Sequence, residues 1–452
     1  VTHDVAIIGG GPAGSAVALR LAELGHQVVL IERSTFPRPH VGICLSHQTV
    51  QLLDHLGAGN SFRAAGHWQR RTTLVLWDGV TRQVDNSGFH VDRGLLDHDL
   101  LARAVRAGVD LHQPAQLRSI SHSAHGHRLT LANGTVLETR FVVDAGGRRP
   151  AVPGQRVHDG PPLLALHATW RFAAQPVCDG LIEASESAWL WCARSGPTDV
   201  IQSVFVDPRN LQNVSGDRLQ ELYLRLLARF SLSLLTGTQS SQVEACDASS
   251  RHAKLPIDGG MIRVGDAALT VDPLASQGVH LALTSGLQAA AIVNTILKRP
   301  ASATLAQSFY VNRVASRVAL YSAHTGNEYA RAAAAHNTKF WIERAATAAR
   351  LQQPISPPPA PSDYVGLSPA LSLTNSAVIE DDFVVKRRVV QHPNLEGCIK
   401  YLAGDDLPQL LASLPRIARY ERLVACLKQQ SPKGALIADW LWHNALLVRL
   451  NR

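Results

Sequence analysis

The chain has 452 residues, 46% of them apolar and 18% charged, with a net charge of +8 at pH 7. That length suits two or three packed domains, and the composition excludes a disordered, low-complexity or fibrous protein. The basic residues are dispersed, with few aromatics between them, so the charge reads as a solvated surface and no nucleic-acid partner is expected.

Six cysteines (Cys44, Cys178, Cys192, Cys246, Cys398 and Cys426) show no CxxC or zinc spacing, which points to scattered reduced thiols. No basic leader, cleavage site or spanning helix is read. The expectation is a cytoplasmic protein without a membrane partner.

Asp4 to Ile8 is an apolar run of strand length. It ends in Gly9-Gly10-Gly11-Pro12-Ala13-Gly14, which opens a small-residue helix, Gly14 to Leu24. A second apolar run, Gln27 to Ile31, stops at Glu32. Strand, glycine turn, helix, strand and terminal acid form a dinucleotide-binding unit. Gly9 permits the tight turn, Gly11 lets backbone approach a pyrophosphate, and Gly14 lets the helix lie close to the sheet. The helix N-terminus faces the phosphates with its N–H groups and dipole. Glu32 is placed to accept a ribose hydroxyl. Pro12, Ala13, Arg33 and Gly42 complete the expected cofactor contacts on this side.

Phe36 to Ser46, which includes His40, is a Pro/Gly-bearing loop leading into a helix. Thr72 to Trp77 reads as a strand with a turn at Asp78-Gly79. His90 to Arg93 leads into Leu95–Val105, apolar at helical spacing. Arg128–Leu131, Asn133-Gly134 and Thr135–Leu137 read as a hairpin with a primed turn. His122, His125 and His127 beside it lack a completing carboxylate, so a solvated hairpin arm is expected and no metal. Phe141-Val142-Val143-Asp144-Ala145-Gly146-Gly147-Arg148 is a buried strand entering a glycine turn.

From about 160 to 250, strand-like segments carrying Trp170, Trp189 and Trp191 alternate with a helix near Arg218–Arg229. The pattern predicts an inserted sheet domain. The segment Gln352–Pro361 has five prolines and reads as a stiff linker. The expected organisation is a discontinuous cofactor domain over 1–160 and 250–350, a sheet domain over 161–249, a linker over 351–369 and a mainly helical module over 370–452. That module contains an apolar-basic strand, Phe383–Val390, with Lys386-Arg387-Arg388.

Met261-Ile262-Arg263-Val264-Gly265-Asp266-Ala267-Ala268 is a second strand ending in a glycine and a carboxylate. Asp266 can accept from ribityl hydroxyls. Pro273 breaks the chain, and Ser276-Gln277-Gly278-Val279-His280 begins a long helix whose positive end would point at a bound ring. A reduced flavin carries negative charge at N1–C2=O, which such a helix end stabilises. Together the two fingerprints specify FAD, held by an α/β, Rossmann-like domain.

On Gly9–Gly14, Asp144–Arg148, Gly265–Asp266, Asp272-Pro273…Gly278 and His90–Leu101, the chain resembles the FAD-dependent aromatic hydroxylase superfamily. Within it the likeness is to the branch of tryptophan halogenases and geranylgeranyl reductases, over about residues 1–345. The resemblance implies Arg93 at the FAD phosphates and Asp144 in the cofactor-binding set. Halogenases of this branch carry Trp-x-Trp-x-Ile-Pro. Here Trp189-Leu190-Trp191-Cys192-Ala193-Arg194 keeps the tryptophans and loses Ile-Pro. Those enzymes also need a lysine ahead of that stretch, and the first lysine in this chain is Lys254.

The resemblance therefore implies an FAD monooxygenase acting through a flavin C4a-hydroperoxide on an indole or phenol ring. His40, Trp189, Trp191 and Gln277 are the pocket candidates, with core packing an equal reading for the tryptophans. The likeness extends to flavoprotein monooxygenases of tryptophylquinone biogenesis, which implies a tryptophan in a peptide or quinoprotein subunit as substrate. The terminal module is then either a docking element or a cap. Reduction by NAD(P)H directly and by a separate flavin reductase both remain open. Alternatives are a halogenase, a prenyl-chain reductase and an FAD-bearing scaffold.

Overall fold

The computed structural model describes residues 2–38, 40, 43–123, 126–174, 178–211, 217–231, 237–348, 357–395 and 397–450. Gly42, His125 and the first half of the Pro-rich segment, 352–356, lie outside them. The chain divides into two compact units, Val1–Asn294 with Tyr321–Ala349, and Thr295–Leu320 with Arg350–Arg452.

The first unit is built on a parallel sheet. Its central strand, Thr2–Ile8, lies between Val28–Ile31 and Val136–Asp144, and Met261–Arg263 adds beyond the last of these. Val5, Ala6, Ile7, Val29, Leu30, Val142 and Val143 are almost wholly inaccessible. Strands covered on both faces need such continuous apolar runs. The register sets Ile8 beside Ile31 and Asp144, and Asp144 beside Arg263. All four strands thus end at one edge, where a parallel sheet places its ligand-binding crevice. The predicted hairpin forms from Gly126–Leu131 and Val136–Asp144, with Asn133 Oδ1 accepting from Thr135 N.

The second sheet of this unit has nine strands. In order these are Thr238–Gln239, Leu164–Arg171, Asp199–Val206, Ala188–Arg194, Gly180–Ala184, Trp68–Leu76, Thr81–His90 and Cys44–Ser46, with Glu244–Asp247 also on Leu164–Arg171. The expected boundary at 161 is therefore corrected, because three strands from 44–90 belong to the same sheet. Side chains alternate faces along a strand. Along Ala188–Arg194, Leu190 and Cys192 pack on the Asp217–Leu227 helix with Leu222, Tyr223 and Leu227. Trp189 and Trp191 point the other way, into a cluster with Trp77, Phe205, Tyr329, Phe340 and Trp341.

The second unit is not mainly helical, as expected from sequence, but mixed. Tyr364–Leu367 pairs with Ile417–Arg419 and Leu447–Arg449, and Ser372–Glu380 forms a hairpin with Phe383–Gln391. The predicted linker, 351–369, thus already contains a strand. The helices Leu407–Ala412, Tyr420–Gln430 and Gly434–His443 bury Leu410, Leu423 and Leu441 with Val365. The hairpin is fixed by Val384 N donating to Thr295 Oγ1 and by Arg299 stacked 3.4 Å over the Phe383 ring.

One expectation about membranes needs amending. Gly278–Lys298 has the length and apolarity of a spanning helix, with mean hydropathy 1.3. Two-thirds of that window is buried in the fold, including Leu281, Leu283 and Ala289–Val293. Burial of that kind is what a core helix requires. All six cysteines are unpaired thiols.

Candidate flavin site

At the sheet edge the glycine turn is built to atomic tolerance. Gly9 has φ +108°, and a methyl group on it would meet the Ala145 carbonyl oxygen at 2.4 Å. A Cβ on Gly14 would lie 1.9 Å from the Gly9 carbonyl oxygen, so the Pro12–Glu23 helix sits directly on the strand end. Glu32 is buried at the end of its strand. Its Oε2 accepts from Gly10 N at 2.7 Å and its Oε1 from Ser34 N at 2.7 Å. Each carboxylate oxygen keeps a further lone pair for a hydroxyl.

Above Gly11 the space is open. The nearest group to a Cβ there is Arg38 Nη2 at 3.8 Å. Arg38 lies over the Phe36 ring, and its buried Nε has no hydrogen-bond partner among the described residues. A buried donor left unmatched beside an exposed backbone turn suits an anionic group such as a pyrophosphate. Sequence reading missed Arg38 and offered Arg33, which is exposed. Arg93, expected at the phosphates, makes a bidentate pair with fully buried Asp97 inside its own helix, at 2.9 and 3.1 Å.

The Asp144 carboxylate accepts from the backbone N–H groups of Gly146, Ala151 and Val152, at 2.9 to 3.1 Å. It shapes the 146–152 turn.

The second fingerprint arrives at the same place. Gly265 has φ +57°, and a Cβ on it would lie 2.9 Å from Ala13 Cβ. Its N–H donates to Ser285 Oγ. Asp266 is partly exposed, with Arg148 Nε 3.5 Å away and its carbonyl held by Arg156 Nη2. Asp272 Oδ1 accepts from Leu274 N at 2.9 Å, capping the Pro273–Ala275 turn, and its Oδ2 accepts from Tyr329 Oη at 2.7 Å. Burial raises the Asp272 carboxyl above its ordinary range. Ser276 is left-handed at φ 52°, after which the Gly278–Lys298 helix begins with open space around Gly278. Gln277 is partly exposed, its carbonyl accepting from Leu281 N, and Val279 is buried. Cys44, its thiol pushed up to about 11 by burial, comes close to Ser276 and Arg70.

Of the pocket candidates, Trp189 is 2% exposed, stacked on Phe205 at 3.7 Å and edge-on to Trp77. It is a core residue of the aromatic wall. Trp191, next on that face, is partly exposed. His40 is exposed in its loop. Among the described residues no three His, Cys, Asp or Glu side chains come together as a metal site.

Open space at Gly11 and Gly278, the unmatched Arg38 Nε, and two helix N-termini at one sheet edge fit a flavin dinucleotide. The FAD binding domain model matches residues 2–320, so the chain belongs to that family. Its relatives include halogenases and a hydroxylase. Tryptophan 2-halogenase of Chondromyces crocatus is 28% identical over 340 residues, 68% of this chain and 64% of that protein. The chain thus spans just under two-thirds of that relative.

Among solved structures, the peptidyl tryptophan dihydroxylase QhpG, essential for tryptophylquinone cofactor biogenesis, is similar with a TM-score of 0.73 and 26% identity, over 99% of this chain and 100% of that one. The flavin-dependent halogenase CmlS shares the fold with a TM-score of 0.82 and 22% identity, over 100% and 96%. The C-terminal unit therefore accompanies this fold in a halogenase as well as in a dihydroxylase.

Proposed function

We propose that the chain is an FAD-dependent monooxygenase that hydroxylates an aromatic ring, namely a tryptophan side chain within a peptide or protein. The observation that carries this reading is the absence of any lysine before Lys254, across the whole segment that supplies the Trp189–Trp191 strand and its neighbours. Chlorination by this branch depends on an ammonium group there, whereas hydroxylation does not. Similarity to a peptidyl tryptophan dihydroxylase over nearly the full length of both chains supports the same choice.

Bound and reduced, FAD supplies the electrons and the ring on which oxygen is activated. The chain's own residues do the rest. Glu32 and the Pro12–Glu23 helix hold the nucleotide, and Arg38 neutralises its phosphates. The Gly278–Lys298 helix would offer its positive end to a reduced flavin. Trp77, Trp189, Phe205 and Trp341 pack into a buried aromatic cluster, and a dry surround of that kind would protect activated oxygen from water. Electrons come from NAD(P)H directly or from a separate flavin reductase.

The deciding assay supplies photoreduced FAD, oxygen and a tryptophan-containing peptide, and follows product mass. A gain of about 16 or 32 daltons, one or two oxygen atoms inserted by the flavin, is the expected result. The retained Trp189/Trp191 pair and the halogenase relative favour a second reading, chlorination. A chloride-dependent gain of chlorine mass would establish that reading and overturn the first.

A further inference from the structure

Tyr329 belongs to the long Ala303–His336 helix and is 2% exposed. A phenol that deep needs a hydrogen-bond partner. It finds one 57 residues away in sequence, donating to Asp272 Oδ2 at 2.7 Å. The other oxygen of the same carboxylate caps the Pro273–Ala275 turn through Leu274 N. One side chain thus joins the helix to the turn, and the turn leads through left-handed Ser276 into the N-terminus of Gly278–Lys298.

The surroundings hold this arrangement in one orientation. Trp189 packs in the same buried aromatic cluster as Tyr329. Trp77 and Trp341 lie 6.5 and 5.9 Å from the Tyr329 ring. Their own indole N–H groups are committed elsewhere, Trp77 Nε1 to the Glu328 carbonyl at 2.7 Å and Trp341 Nε1 to the Ser185 carbonyl at 2.9 Å. Residue 329 is therefore pinned at its neighbour, and among the described residues the phenol donates to Asp272. With Tyr329 buried and Asp272 half-buried, the bond is better shielded from water than its counterpart on a surface.

We propose that Tyr329 is a positioning residue for the flavin. Through Asp272 it fixes the 273–276 turn, and with it the helix end that faces the ring. The proposal rests on FAD occupying this site. Ring packing alone would give Tyr329 a structural part that phenylalanine fills equally well, and that difference is testable.

Holoenzyme is prepared as wild type, Tyr329→Phe and Asp272→Asn. FAD affinity is measured by fluorescence titration, and the environment of the ring by visible circular dichroism of the bound flavin. Tyr329→Phe is expected to weaken FAD binding by about tenfold, the loss of one buried hydrogen bond to a charged acceptor, and to shift the visible dichroism. Asp272→Asn, which keeps an acceptor oxygen, is expected to show a smaller change in the same direction. A Tyr329→Phe enzyme with wild-type affinity and dichroism overturns the positioning role while leaving the flavin reading intact. A wild-type chain that binds no FAD overturns both and is recognised before any variant is made. Should Tyr329→Phe not fold, Asp272→Asn decides by the same two readouts, and wild-type values for it overturn the proposal.

Discussion

Gly265 and Ala13 meet so closely that a methyl group on the glycine would stand 2.9 Å from the alanine methyl. They come from fingerprints some 250 residues apart, and their contact is where the two become one site. Gly286 repeats the approach from the next helix, its absent Cβ lying 2.7 Å from the Ala13 carbonyl oxygen. Gly265→Ala is expected to destabilise the fold by about 1–3 kcal/mol through overpacking, with a further ~1 kcal/mol for the left-handed backbone. Urea melts of apoprotein and the flavin content of purified enzyme check this, and both should fall.

Arg38 is the cation nearest Gly11, and its buried Nε lacks a partner among the described residues. Arg38→Met keeps the stem over Phe36 and removes the charge. FAD affinity is expected to fall by about tenfold at low ionic strength, the scale of one charge-assisted hydrogen bond, and by less at high salt. Titrations at two salt concentrations measure it. Equal affinities for wild type and variant would remove Arg38 from the phosphate site.

The two tryptophans of one strand should separate on mutation. Trp189, fully enclosed against Phe205 and Trp77, is expected to cost about 3–5 kcal/mol when replaced by alanine. Trp191 is partly exposed on the same face, and Trp191→Ala is expected to cost less stability and more turnover. Urea midpoints beside product yield per flavin distinguish the wall from the pocket. A Trp191 variant that matches Trp189 in lost stability would assign both to the core.

Acid stability should report His90. Its Nδ1 lies 2.6 Å from the Arg194 carbonyl and is the donor of the neutral ring, while its buried Nε2 has no partner among the described residues. Burial, aided by Arg70, holds the imidazole down at about 4 against the opposing pull of the Arg194 carbonyl and Asp179. Because the folded value lies below the unfolded one of about 6.5, the contribution of neutral His90 is complete above pH 6.5. It is lost as pH falls through about 4, with a slope of up to ~1.4 kcal/mol per pH unit. Comparing urea midpoints of wild type and His90→Gln between pH 4 and 8 isolates it. The two curves should converge toward the acid end, and parallel curves would rule it out.

Much of this site was readable from residues alone, for identifiable reasons. Glycine fingerprints announce themselves because Gly9 and Gly14 have no sterically allowed substitute, and Glu32 follows from its place at a strand end. Arg38 was hidden because a proline-flanked loop has no periodicity from which to infer where a side chain points. The turn-shaping role of Asp144 was not legible, because which backbone N–H groups a carboxylate accepts from depends on how the chain folds back after the strand. Tyr329 carries no motif at all, and only the packing of its helix on the sheet brings it to Asp272. The extent of the second sheet was underestimated because the partner of Trp68–Leu76 is Gly180–Ala184, more than a hundred residues onward.

That pairing also determines how the first unit can be dissected. The nine-stranded sheet is threaded in two passes, with the Val136–Asp144 strand of the other sheet laid down between them. Cutting out residues 161–249 would not yield a tidy cofactor domain. It would strip the Gly180–Ala184 partner from Trp68–Leu76 and leave the edge at Thr73–Leu76 open to other chains, a recipe for aggregation. A chain emerging from the ribosome passes through the same condition. Its first three sheet strands must wait, unpaired on that side, until another hundred residues have been made.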